Sequence, residues 1–517
     1  MPVTTRARTA QSARREHGTP LIDAVRHHRV DEVATLIASG ADVNETKTVD
    51  GTSPLSPLLA ACAKGYTGIV TALIAAGAKV NQADDEGYTP LIVACDLGHT
   101  EIVTALIAAG AKVDLANNRV GNRQTPLFIA CFKGHTEIVT ALIAAGAKVD
   151  QAADDDTTPL YVTCELGHTE IAKALIAAGA KLDLALEDGV TPLLVAAEKG
   201  YTEIVTALIA AGVNMDLAQN DGFSPLYMAC QEGHTEIATA LIAAGANVDL
   251  AVEEDGATPL LFACETGSTE IALALIAAGA NVNQALDGGS TPLLFSCEMG
   301  NTRIAAALLA TGAAVDEPAD VNDANLSGQP LCLACHNHHL RTVQLLSSYG
   351  ASRTFSDGTT AEEVAAEAAA DEEEEEDGVD HGAADQLREW LVRSQQWTTA
   401  LHHLAIIGAD RALALLRGGA DLRAAAAGAD APTPLSLALQ LRAEDSAPAR
   451  SAADLVLRAA EPWSPQTHHL FPDERRAEAV SLVRSVSHLH ARRCVGTGYP
   501  EMRDFVGLVL AHAVTRG

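Results

Sequence analysis

The chain repeats itself. A segment of about 33 residues recurs along most of its length, and its proline marks the register at Pro20, Pro57, Pro90, Pro126, Pro159, Pro192, Pro225, Pro259, Pro292 and Pro330, in steps of 37, 33, 36, 33, 33, 33, 34, 33 and 38 residues. A fixed period in this range specifies a stack of small units, each too short to bury its own apolar face, so the core exists only between neighbours. Such a stack offers a long surface and no enclosed pocket, which points toward binding and away from catalysis.

Each copy reads as two short helices and a polar turn. In the copy TPLIVACDLGHTEIVTALIAAGAKV, residues 89–113, Thr89 is an N-cap and Pro90 suits the first helical position. Leu91, Ala94 and Cys95 give a short apolar stripe that Gly98 ends. Thr100 is read as the cap of the second helix, with Glu101 in its first turn, where the helix dipole favours an anion. Ile102, Val103, Leu106 and Ile107 form a core-facing stripe, and Gly110 supplies a left-handed stop. Aromatic residues make up only 3% of the chain, so Leu, Ile, Val and Ala must fill the interior.

With Thr-Pro-Leu, the Gly-His pairs (Gly98-His99, Gly134-His135, Gly167-His168, Gly233-His234) and Leu-Ile-Ala-Ala-Gly-Ala in register, the chain resembles the ankyrin-repeat family over about residues 19–355. One departure is consistent. The family's His after Thr-Pro-Leu is here Ile92, Phe128, Tyr161, Leu194, Tyr227, Leu261 and Leu294, which exchanges a family hydrogen bond for apolar volume. The fold expected is all-α: an ankyrin-repeat solenoid, helix-turn-helix plus hairpin loop per repeat, with a helical C-terminal cap.

The domain reading follows the register. Residues 1–17 form a basic disordered tail, an organellar presequence being the alternative. About ten repeats span 18–355. A degenerate repeat with an acidic low-complexity segment, Asp371–Asp377, spans 356–396, where the acids are expected to be solvated in a loop or damaged repeat. Two further degenerate repeats fill 397–461, and His402 restores the family His. Residues 462–517 leave the pattern after Pro462-Trp463-Ser464-Pro465 and read as a cap or a docking element. Tyr499-Pro500-Glu501-Met502 before an apolar helix faintly resembles the Leu-Pro-initiated helices of F-box or SOCS-box modules, which implies the alternative of a ubiquitin-ligase substrate adaptor.

Charge is uneven. Residues 1–17 hold four Arg and one Glu, and residues 384–517 hold fifteen Arg and fourteen acids, so a formal −32 places −36 between them. An acidic solenoid repels nucleic acid and anionic membrane and attracts basic partners. No apolar run reaches the roughly 18 residues a membrane helix needs. A monomer in the cytoplasm, or in the nucleus, is expected, because unpaired thiols favour a reducing compartment.

Eight of the ten Cys fall at one repeat position: Cys62, Cys95, Cys131, Cys164, Cys230, Cys264, Cys297 and Cys335. Stacked helices sit roughly 8–10 Å apart, too far for a disulfide, whose Cα atoms lie within about 7 Å. Core packing is the reading. Cys332-Leu-Ala-Cys335-His336 spells a haem-attachment string, and His338 and His339 stand near it, yet the string lies in register on a first helix. The Gly-His histidines read as caps or turn hydrogen-bond partners. No nucleophile–base–orienter set, phosphate loop or HExxH is present. No enzyme activity, cofactor or metal is therefore assigned.

The copies differ in two zones. The second helix is almost fixed: HTEIVTALIAAGAKVD stands at both His99–Asp114 and His135–Asp150. The turn before Thr-Pro varies through Asp85, Glu86 and Tyr88; Asp155 and Asp156; Glu187 and Asp188; Asp221 and Phe223; Glu254 and Asp255. The end of the first helix varies through Asp96, Phe132, Glu165, Glu198, Gln231, Glu265 and Glu298, with Glu232 beside it. The resemblance implies that these zones form the hairpin tips and concave face where the family binds partners. Asp96, Glu165, Glu198, Glu232, Glu265 and Glu298 read as an acidic stripe, with Tyr88, Phe132 and Phe223 as aromatic anchors. The function expected is a non-catalytic protein–protein interaction scaffold for a basic protein segment.

Overall fold

The step Thr-Pro-Leu, or Ser-Pro-Leu, starts nine of the described first helices by the same device. The hydroxyl of Thr19, Ser56, Thr89, Thr125, Thr158, Thr191, Ser224, Thr258 or Thr291 accepts from the backbone N–H three residues on, at 3.1–3.3 Å. Proline follows at a position whose N–H would otherwise be orphaned. Each such cap contributes about 1 kcal/mol. The donors include Ile92, Phe128, Tyr161, Leu194, Tyr227, Leu261 and Leu294, and their side chains are buried, as expected of residues that replace the family His.

The computed structural model of the protein describes residues 19–48, 54–118, 123–317, 328–375 and 382–395, and shorter stretches between 397 and 460. The tail read at 1–17 and the cap or docking element read at 462–517 lie outside the described residues. The chain divides into two compact units, Met1–Phe262 and Ala263–Gly517.

In the first unit, first helices such as Pro90–Asp96, Pro126–Phe132, Pro159–Leu166 and Pro192–Glu198 alternate with second helices such as Thr100–Ala108, Thr136–Ala144, Thr169–Ala177 and Thr202–Ala210. The longer step between Pro20 and Pro57 accommodates a two-residue antiparallel ribbon, Lys47–Thr48 against Pro54–Leu55. Ile102, Val103 and Leu106 and their counterparts in the second helices from Thr67–Ala75 to Thr235–Ala244 are buried together with the cysteine ladder. Burial pushes the thiols of Cys62, Cys131, Cys230 and Cys264 up to about 12, so they sit as neutral, unreactive packing groups.

Thr100 is not the cap expected. It is the first helical residue, and His99 occupies the N-cap position without a side-chain cap. The histidine is used elsewhere. Its ring lies against Gly65 of the preceding repeat, as His135 lies against Gly98 and His168 against Gly134. His234 completes the pattern with a hydrogen bond from its ring to the carbonyl of Glu198, at 3.0 Å, the last residue of the preceding first helix. The Gly-His pair is thus one device shared between neighbours: the glycine of one repeat receives the imidazole of the next.

A second inter-repeat tie runs along the second-helix ends. Asn44, Asn81, Asp114, Asp150, Asp183 and Asp216 each accept, through Oδ1, the backbone N–H of a residue 31–35 positions later, at 2.7–3.1 Å. The hairpins are tied in turn: Asn118 N–H donates to the Glu86 carbonyl at 2.8 Å, and Asn220 N–H to the Asp188 carbonyl at 2.9 Å.

In the second unit the repeats Pro292–Glu298 with Thr302–Ala310, and Pro330–His336 with Leu340–Ser348, keep the pattern. The helices beyond follow the same alternation. Ala361–Glu375 packs on Pro330–His336, and Gly382–Ser394 packs on Ala361–Glu375 as its second helix. Thr360 and Glu363 form a reciprocal capping box: Glu363 N–H donates to Thr360 Oγ1 at 3.3 Å, and Thr360 N–H donates to Glu363 Oε2 at 2.8 Å. This first helix is long, 15 residues, and takes in the acids Asp371–Glu375 that the sequence reading set in a loop or damaged repeat. Ala and Glu are strong helix formers, and they carry the helix into the block. Ala400–His403, Ala409–Arg417, Pro434–Ala443 and Ala452–Ala460 complete the described elements. At His402 the family contact returns: its Nδ1 lies 2.8 Å from Thr399 Oγ1.

Candidate protein-binding face

The hairpin turns are built by their own acids. In the turn before Thr89, Asp84 Oδ1 accepts the N–H of Glu86 at 3.1 Å and of Tyr88 at 2.8 Å. Asp84 is half-buried, and that burial raises its pKa against the opposing pull of those two bonds. This leaves Asp85 and Glu86 exposed at the tip. Asp155, Asp188 and Asp255 do the same work from two residues upstream, accepting from Thr157 N–H at 3.1 Å, Val190 N–H at 3.1 Å and Ala257 N–H at 2.9 Å. All three remain exposed, as do Glu187, Asp221 and Glu254. Asp156 stands with φ 61° at the place where neighbouring copies have Gly87, Gly189 and Gly222. An acid is thus kept where the backbone favours glycine.

At the first-helix ends, Glu165, Gln231, Glu265 and Glu298 are exposed, and Asp96 and Glu198 are half-exposed. Glu232 is one residue out of the row. The register position is Gln231, the last residue of Pro225–Gln231, and Glu232 belongs with Leu97, Lys133, Leu166 and Lys199 of the other copies. The stripe is also less purely acidic than the sequence suggested. Lys133 pairs with Asp96 across repeats at 3.2 Å, and Lys199 pairs with Glu198 at 2.7 Å. The expected anchors divide. Phe132 is 47% exposed, with Lys133 Nζ 5.8 Å from its ring centroid. Tyr88 and Phe223 are half-buried, and Phe223 stands edge-on to Tyr227 at 5.2 Å.

Sequence reading missed two exposed apolar residues beside Phe132. Leu97 and Leu166, at 47% and 39% exposure, directly follow Asp96 and Glu165. The signal was present in the register seven residues after each proline, where lysine and leucine alternate through Lys64, Leu97, Lys133, Leu166 and Lys199.

Tyr161, one of the residues that exchange the family His for apolar volume, is buried, with 8% of the residue exposed. Its hydroxyl is a different matter. Burial, and then the carboxylates of Glu165, Asp188 and Glu198, push it up to about 12. Three of the candidate acids, from two repeats, therefore act on one phenol.

No group of three or more His, Cys, Asp or Glu among the described residues is placed to hold a metal ion. Cys332 and Cys335 of the haem-like string are buried in the helix Pro330–His336. No helix among the described residues is long and apolar enough to cross a membrane. Grooves of about 780, 620 and 500 Å³ recur at the second-helix ends, lined by Lys148, Lys79 and Lys112, and none of the candidate residues lines them.

The family model for ankyrin repeats (3 copies) matches residues 21–117, 113–186, 173–252 and 248–319. This chain belongs to the ankyrin-repeat family. Among solved structures it is similar to the human ASB11 ankyrin repeat domain, with 30% identity, a TM-score of 0.39, and coverage of 44% of this chain and 99% of that one. It is also similar to an ankyrin repeat domain from Acinetobacter baumannii AYE, with 31% identity, a TM-score of 0.35, and coverage of 37% of this chain and 98% of that one. No curated protein matches the chain. Ankyrin repeats bind proteins, and membership makes this chain a protein–protein interaction scaffold of a generally non-catalytic kind.

Proposed function

We propose that the scaffold recognises a basic protein segment along its hairpin tips and first-helix ends. The observation that carries this is the exposed acid at successive hairpins of the first unit, from Asp85 and Glu86 through Asp155, Asp156, Glu187 and Asp188 to Asp221. Asp156 adds weight, since it retains a carboxylate at the cost of a left-handed backbone that glycine would hold more easily. Acids in solvent steer a basic partner over a distance set by ionic strength, and the exposed Leu97, Phe132 and Leu166 supply apolar contact once it arrives.

The test is a comparison of a lysine- and arginine-rich peptide pool with a glutamate-rich one, each titrated against the full chain and against its E165K/E198K/E232K variant. The wild type is expected to bind the basic pool, more weakly as salt rises. The variant, folded by circular dichroism, is expected to lose at least about tenfold in affinity, the equivalent of 1.4 kcal/mol. A folded variant that binds like the wild type overturns the reading.

A further inference from the structure

The chain holds nine lysines, and four of them stand at one place in the repeat: Lys79, Lys112, Lys148 and Lys181. Each comes four residues after its second helix, Thr67–Ala75, Thr100–Ala108, Thr136–Ala144 or Thr169–Ala177. That is beyond the last turn, where a cation would answer the helix dipole. All four are exposed and form no ion pair among the described residues, whereas Lys133, Lys173 and Lys199 are each paired with an acid. Stacking uses only the backbone at this place. The N–H groups of Lys79, Lys112, Lys148 and Lys181 donate to the side chains of Asn44, Asn81, Asp114 and Asp150 at 2.7–2.8 Å. Asn214 and Asn247 make the same tie in later repeats, so the tie does not need a lysine. A groove opens beside Lys79, Lys112 and Lys148 in turn. Beside Lys79 it is lined by Ile74, Val80, Asn81 and Gln82, an apolar wall with amides and no acid. An Ile and a Val recur in the other two, with Asp114 and Asp150 in place of Asn81.

We infer that this lysine row docks an acidic segment of a partner protein, held extended, with a carboxylate at every third residue. Packed helices, and so stacked repeats, are spaced roughly 8–10 Å apart. A polyproline-type segment turns once in three residues and rises about 9 Å in doing so. Its residues i, i+3, i+6 and i+9 therefore present one face at the spacing of the lysines, and the residues between them meet the apolar walls of the grooves. About ten residues fill the row. The rest of the chain selects against longer polyanions. Its formal charge is −32, and screening confines the attraction of the row to about 10 Å. A nucleic acid or an anionic bilayer therefore meets mostly repulsion, and a short segment does not. None of the residues proposed for the basic partner lines these grooves, so the two partners have opposite charge and separate places.

The probes are short fluorescent peptides titrated against the full chain by anisotropy. One has glutamate at every third position with proline and valine between. The second has the same composition with its glutamates contiguous, and the third replaces each glutamate of the first by glutamine. The period-three glutamate peptide should bind about tenfold more tightly than the glutamine peptide, since four exposed ion pairs contribute about twofold each, and the preference should fade as salt rises. The contiguous isomer should bind more weakly than the period-three peptide. The K79Q/K112Q/K148Q/K181Q variant keeps every backbone tie and should erase the preference. Among single changes K79Q should cost the most, about twofold, because Asn44 and Asn81 beside it are neutral, and K181Q, between Asp150 and Asp183, should cost less. A preference that survives in the quadruple variant, folded by circular dichroism, overturns the row. Equal binding of the two glutamate isomers overturns the extended register. If the glutamate and glutamine peptides bind alike, the inference falls, and capture of a single-stranded oligonucleotide or of phosphatidylserine vesicles by the wild type alone would reassign the row.

Discussion

The first unit and the repeats after Gly350 solve the same stacking problem in different ways. In the first unit a few devices are copied: a Thr or Ser cap, an imidazole or phenol seated on the previous repeat's glycine, and an Asn or Asp reaching the next repeat's backbone. After Gly350 the devices become singular. Arg353 donates to the Leu391 carbonyl at 3.1 Å and to Ser394 Oγ at 2.7 Å, and its guanidinium carbon lies 5.3 Å from the Trp390 ring centroid. Arg411 donates to Ser348 Oγ at 2.8 Å and to the Ser348 carbonyl at 2.6 Å, with its guanidinium carbon 3.2 Å over the Tyr349 ring. Copying spreads stability over many equivalent joints. The later repeats concentrate it in a few side chains, so single changes there should cost the most.

The sharpest contrast is acid sensitivity. His403 is buried beside Trp390 and Trp397, and burial, then Arg353, His402 and Arg411, lower its pKa from 6.5 to about 3. The folded form therefore refuses a proton that the unfolded chain accepts. Its full contribution is present above pH 6.5 and is lost as pH falls from there toward 3, at up to about 1.4 kcal/mol per unit. Urea unfolding followed by tryptophan fluorescence reports on this unit, since Trp390, Trp397 and Trp463 are the chain's three tryptophans. The midpoint should drop as pH is lowered through that window, and His403→Phe should flatten the dependence. An unchanged slope in that variant would assign the acid loss to other groups.

Next in size is Arg411→Ala. It removes two hydrogen bonds from a charged donor and a cation–π contact, and should cost about 2–3 kcal/mol. The fluorescence transition should move to lower urea while the far-ultraviolet signal of the first unit keeps its midpoint. A shift of both together would mean that the copied repeats depend on this joint as well.

The repeat devices themselves can be separated. Gly98 and Gly110 are both left-handed, at φ 75° and 83°. A methyl group at Gly98 would come 2.8 Å from His135 Cε1, whereas at Gly110 it meets nothing within 4 Å. Both alanine variants should lose about 1 kcal/mol to backbone strain, and Gly98→Ala should lose more by displacing the imidazole. Equal losses, measured by thermal unfolding, would show that the ring merely rests against the glycine.

What was legible in the sequence follows the same division. The Thr caps and the buried replacements for the family His are local, the period and the cysteine ladder are periodic, and each can be read from one copy or from the register of several. The role of His99 cannot, because its partner Gly65 lies in another copy, and the local pattern offered Thr100 as the cap instead. Arg353 and Arg411 make contacts 38–63 residues away that occur once, so no register exposes them. At the candidate face the acids were legible as variation on a fixed scaffold. The effect on Tyr161 was not, since its ring belongs to the core and the acids that raise its pKa, after burial itself, come from two different repeats.

The smallest expected effect tests the copied cap from both directions. Gln329 occupies the cap position before Pro330 with the same extended backbone, φ −91° and ψ 143°, as the Thr and Ser caps, but makes no side-chain cap. Its Nε2 instead reaches the Asp316 carbonyl at a long 3.4 Å. Thr158→Ala should therefore cost about 1 kcal/mol, and Gln329→Thr should gain about 0.5 kcal/mol, the cap less the weak bond it gives up. Because the backbone is already in the cap conformation, the gain requires no rearrangement. A neutral or destabilising Gln329→Thr, measured by urea unfolding, would mean that the bond to Asp316 is worth as much as a cap and that this repeat has exchanged one tie for another.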